Sequence, residues 1–132
     1  MIRQQFDVGH YWKVTVWYSI DCSLFHIIAK ELKEIGFAWN SIADVYWNMA
    51  TGKAKAVTCS SLDRHESIVI FNPHTSKADY INSIVHEATH VMQAMLKTYQ
   101  VRDEGEPPAY TVGFIVMKMY EVFRKFLLTY HK

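Results

Sequence analysis

The sequence predicts a mixed α+β domain. Three observations carry this. A β-branched and aromatic run near the N-terminus is followed by helical periodicity. Two short apolar runs in mid-chain flank a polar turn. Two long helical segments, each with its own start signal, close the chain.

Tyr11 to Ile20 is rich in β-branched and aromatic residues and reads as a strand. Asp21 or Ser23 can cap the helix that follows. In that helix Leu24, Ile27, Ile28, Leu32 and Ile35 recur at helical spacing, and Gly36 suits its C-terminal end. Phe37 to Met49 fits a packed loop or a short helix. Thr51-Gly52 is a turn signal. Lys53 to Cys59 and Ser67 to Phe71 read as paired strands, ended by Asn72-Pro73.

Ser76 and Asp79 form a Ser-x-x-Asp helix start, a variant of the capping box. The helix is expected from about Lys77 to about Tyr99. A polar break at Arg102 to Gly105 follows. Pro107 then fits the first turn of a last helix, expected to continue close to Tyr130. From Val112 to Leu128 that helix is apolar over more than one face. It is therefore either central to the fold or packed against a partner, and the oligomeric state stays open.

With 132 residues, one domain spanning 1–132 is expected. Half the residues are apolar, as in a packed globular chain. Fourteen basic and 13 acidic residues leave a net charge of +1, which offers no electrostatic reason for a nucleic-acid partner. Cys22 and Cys59 form no disulfide framework and fit no zinc knuckle, so two buried free thiols are expected. Met1 to Val8 has no apolar core of a signal peptide, and no run is long enough to span a bilayer. A cytoplasmic protein with no membrane partner is the expectation.

The chemistry lies in His86-Glu87-Ala88-Thr89-His90. Residues four apart on a helix stand one above the other, so two imidazoles can reach one tetrahedral zinc ion. Glu87 projects from the neighbouring face and is placed to take a proton from water rather than to bind metal. A chain with seven His and seven Glu yields roughly 0.02 such motifs by chance, so the signal is specific. On a helical wheel Ile81, Ile84, Val85, Ala88, Met92, Met95 and Tyr99 share one apolar stripe, with His86 and His90 opposite.

A catalytic zinc site takes three protein ligands and leaves one position open. The downstream candidates for the third are Asp103, Glu104, Glu106, Glu121 and His131. Glu106 is preferred because it opens the last helix after a break that lets the chain turn back; Glu104 is the alternative. Tyr110, one turn later, His74 and His65 are candidates to steady the oxyanion. His10 and His26 read as structural or exposed.

The segment Ser83 to Tyr110 resembles the minimal zincin-like metallopeptidases with glutamate as third ligand, the gluzincins, of the small bacterial and bacteriophage kind. The matching pieces are His86-Glu87-Ala88-Thr89-His90 and Glu106-Pro107-Pro108-Ala109-Tyr110. The resemblance implies a zincin-like core: a small twisted mixed sheet with an edge strand beside the cleft, a backing helix, an active-site helix and a C-terminal glutamate helix. It implies one Zn²⁺ on His86, His90 and Glu106, with Glu87 as general base. The expected partner is a peptide or protein substrate, paired with a strand edge. Two other classes compete. One is a catalytically silent zinc-binding module with a structural or interaction role. The other is a metal-free interaction domain built on its aromatics.

Overall fold

A computed structural model of the chain describes residues 1–126. Among these are four strands and four α-helices: β1 (Ile2–Val8), β2 (Trp12–Tyr18), α1 (Phe25–Glu34), α2 (Trp39–Ala50), β3 (Ala56–Ser61), β4 (Glu66–Phe71), α3 (Lys77–Tyr99) and α4 (Glu106–Phe123). The chain is mixed α+β, as expected. The strands form one sheet in the order β1-β2-β4-β3. β2 and β4 run parallel, while β1 and β3 pair antiparallel with their neighbours. The parallel pair requires a long crossover, which α1 and α2 provide.

The sequence predicts one strand before the first helix; the fold has two. β1 mixes Arg3, Gln4, Gln5 and Asp7 with Ile2, Phe6 and Val8, so its apolar signal is weak. An edge strand tolerates this because much of it faces water. Gly9, at a φ of +64°, lets the chain reverse into β2.

Both sheet faces are covered. Trp12, Val14, Val16 and Tyr18 of β2 and Val69 and Phe71 of β4 pack under α3 and α4. Trp17, Ile68 and Ile70 point the other way, onto Phe25, Ile28 and Leu32 of α1 and Ile42 and Met49 of α2. The apolar residues therefore form two clusters, one per face. This is why the central strands read as nearly continuous apolar runs.

In α1 the buried face is Phe25, Ile28 and Leu32, while Ile27 and, just ahead of the helix, Leu24 are exposed. Asp21 caps a short 3-10 turn, Cys22–Leu24, ahead of it, accepting from the Ser23 backbone N–H at 3.0 Å. The ambiguous segment after Gly36 is a full helix, α2. Ile42, Tyr46 and Met49 face inward, and Trp39 and Trp47 stand in solvent at 61% and 63% exposure. The outward tryptophans obscured the helical pattern.

α3 spans the expected residues. The Ser76 hydroxyl accepts the Asp79 backbone N–H at 3.1 Å and so caps the helix. The buried face is rotated from the expected stripe. Tyr80, Ile84, Ala88, Val91, Met92 and Met95 are inside, with Ser83 and Glu87 among them. Ile81 and Val85 are 36% and 45% exposed, and Tyr99 is also exposed. The rotation follows from packing on two partners at once, the sheet and α4.

Pro107 lies in the first turn of α4, as expected. Ile115, Met119 and Phe123 bury one face of that helix, while Met117 and Tyr120 are exposed on the other. The α-helix ends at Phe123 and residues 124–126 form a 3-10 turn. The expected continuation towards Tyr130 lies outside the described residues, as does His131. Among the described residues no helix is long and apolar enough to cross a membrane. Cys59 is a buried free thiol as expected, whereas Cys22 is only partly buried.

Candidate metal centre

His86 and His90 stand on successive turns of α3 and both are exposed. Their rings are nearly perpendicular, and the two Nε2 atoms converge to 3.1 Å. Two nitrogens bound to one tetrahedral zinc at roughly 2.05 Å each stand roughly 3.3 Å apart. The donor pair present therefore fits a shared ion to within a few tenths of an ångström.

Glu87 occupies the buried side of the helix and is only 5% exposed. The sequence predicts it on a face neighbouring the histidines; the fold turns that face onto β3. Ala56, Thr58 and Ser60 of β3 line the cleft together with His86, Glu87 and His90. Alternation along the strand sends Cys59 to the opposite face of the sheet. The Thr58 hydroxyl donates to Glu87 Oε1 at 2.9 Å. Glu87 Oε2 lies 3.8 Å from His86 Nε2. One carboxylate oxygen is thus anchored to the sheet while the other faces the histidine pair.

Among the described residues β3 is an edge of the sheet, so the cleft runs between α3 and a strand paired there on one side. Burial, with the Glu87 carboxylate adding to it, pushes the Cys59 thiol up to about 12. On the far side of the strand and neutral, Cys59 takes no part in the cleft.

The other described candidates for the third ligand are all exposed. Glu106 is the first residue of α4 and is exposed. Glu104 is exposed and lies 3.5 Å from Arg102. Asp103 and Glu121 are exposed as well. Among the described residues no three or more His, Cys, Asp or Glu side chains converge as a metal-holding group. Among the described residues the fold thus brings His86, Glu87 and His90 together without a third ligand beside them. Tyr110, one turn beyond Glu106, is 74% exposed.

Two of the oxyanion candidates have partners away from the cleft. His74 is buried, with Nδ1 2.7 Å from the Asn72 carbonyl oxygen and Nε2 2.7 Å from the Ser83 hydroxyl, and its ring stacks on Tyr80. Both ring nitrogens are engaged, so it braces the run-in to α3. His65 stacks on Trp12 and meets Tyr99 edge-on, a packing role between β2 and the end of α3. His10 and His26 are exposed.

Sequence reasoning missed Thr58. Its only signal was the alternation Ala56, Thr58, Ser60 on one side of a strand, and nothing in that pattern says which helix the strand will face.

No protein-family model, no curated protein and no solved structure matches the chain.

Proposed function

We propose that the protein is a zinc-dependent peptidase of the zincin kind, with Glu87 as general base. The observation that carries this reading is the convergence of His86 and His90 at 3.1 Å, with a Glu87 carboxylate oxygen turned towards them. A structural zinc site has no need of a buried carboxylate aimed at the pair.

His86 and His90 would hold the ion through Nε2, and Glu106 is the carboxylate proposed to complete the set. Zinc, when bound, activates a water molecule and polarises a peptide carbonyl. Glu87 Oε2 accepts the proton of the attacking water and returns it to the leaving amine nitrogen. Tyr110 is proposed to donate to the oxyanion. The outer side of β3, an edge among the described residues, offers backbone N–H and C=O groups to an extended peptide, which supports a peptide substrate. The zincin-like core rests on the same elements: α3 as active-site helix, α4 as glutamate helix and β3 as the strand beside the cleft.

The second reading, a zinc-binding module without turnover, draws on one observation: no third ligand side chain converges with the pair among the described residues. Metal analysis and a peptide-library digest separate the readings. The peptidase should carry about one zinc and cut peptides in a chelator-sensitive way. Glu87→Gln should keep the zinc and lose hydrolysis, and Glu106→Ala should lose zinc. Protein that binds zinc but cuts nothing in the library supports the silent module. Protein that takes up no zinc refutes both.

A further inference from the structure

We propose that Thr58 is the positioning residue for Glu87, aiming its free carboxylate oxygen at the His86–His90 pair; this rests on the peptidase reading. Glu87 is 95% buried beside the apolar face of α3. A carboxylate so placed needs a donor, since burying an unpaired charge is costly. The Thr58 hydroxyl supplies one. It has a single proton, and the carboxylate Oε1 at 2.9 Å is a nearer acceptor than the Glu87 backbone oxygen at 3.4 Å.

The anchor is rigid for two reasons. Thr58 is β-branched, which restricts χ1. It also sits on a strand whose register is set by its partner, Thr58 opposite Val69 of β4. Holding Oε1 leaves rotation about the last side-chain bond little freedom, so Oε2 stays on the cleft side, 3.8 Å from His86 Nε2. Without the hydroxyl the carboxylate can turn or withdraw. A misplacement of about 1 Å at a reacting group can cost on the order of 100-fold in rate. The proton chemistry would belong to Glu87 and the aim to Thr58, from a different element.

The experiment compares Thr58→Val and Thr58→Ser with the parent protein in zinc content, in kcat and KM on a cleaved library peptide, and in urea unfolding of zinc-free protein. Thr58→Val is expected to keep about one zinc and a KM within about threefold, while kcat falls roughly 10- to 100-fold. Thr58→Ser keeps the hydroxyl and should recover kcat to within about threefold of the parent. In zinc-free protein, Thr58→Val should lower the urea midpoint in the parent but far less in a Glu87→Ala background. A working parent whose Thr58→Val variant turns over at the parental rate overturns the proposal. So does a Thr58→Ser variant as impaired as Thr58→Val, or equal midpoint losses in both backgrounds. A parent that takes up no zinc and cuts nothing overturns the peptidase reading itself, and is recognised because the parent fails before any Thr58 variant is compared.

Discussion

Lys55 and Asp79 tie the two walls of the cleft together at one end, with the lysine Nζ 2.9 Å from each carboxylate oxygen. Lys55 directly precedes β3 and Asp79 lies in the first turn of α3. The hydrogen bond from Lys55 holds the Asp79 carboxyl below the usual aspartate range. The folded state thus favours the ionised form more than the unfolded chain does. That stabilisation is fully present above the ordinary aspartate value and is lost as pH falls through the lower folded value. Lys55→Ala should flatten the acid limb of a stability–pH curve below about pH 4, measured by urea midpoints. An unchanged acid limb would show that the pair is screened to nothing.

His86→Ala or His90→Ala should abolish stoichiometric zinc binding, because either change removes half of the convergent pair. Neither should weaken the zinc-free fold by more than about 0.5 kcal/mol, since both side chains are exposed. Dialysis against zinc followed by metal analysis, beside urea unfolding, checks both halves. A large stability loss without metal would make the pair a structural contact.

Ile84 lies one turn before Ala88 on the buried face of α3 and is almost wholly enclosed. Ile84→Ala should cost about 2–5 kcal/mol, the range for deleting a buried aliphatic side chain. Chemical denaturation gives the value directly. A loss under about 1 kcal/mol would mean that α3 is not seated on the sheet as described.

The two thiols should react differently. Burial raises both, but Cys59 is pushed up to about 12 and is enclosed, whereas Cys22 is only partly buried. Native protein treated with an alkylating agent at pH 8 should be modified at Cys22. Cys59 should react only after unfolding, as read by mass spectrometry of digested protein.

Much of the architecture was legible because local signals and tertiary demands agreed. Ser76 starts α3 at the position its side-chain chemistry suggests, and Pro107 sits in the first turn of α4. The pairing of β3 with β4 was readable because two short runs flank a turn. β1 escaped because its polar residues are tolerable only on an edge strand already paired with β2. The rotation of the buried face of α3 escaped because a helical wheel treats every apolar side chain alike. It cannot know that Ile81 and Val85 meet water while Tyr80 and Val91 meet the sheet and α4.

The sequence by itself determined that two histidines lie one helical turn apart with a glutamate beside the first. That spacing follows from the 3.6-residue period alone. Only the tertiary structure decided how that glutamate is used. Packing of α3 against β3 buried Glu87, gave one carboxylate oxygen a hydroxyl from Thr58 and left the other facing the imidazoles. The physical reason is that a carboxylate is seldom buried without a donor, and the donor here comes from a strand 29 residues earlier, which no local pattern can reveal.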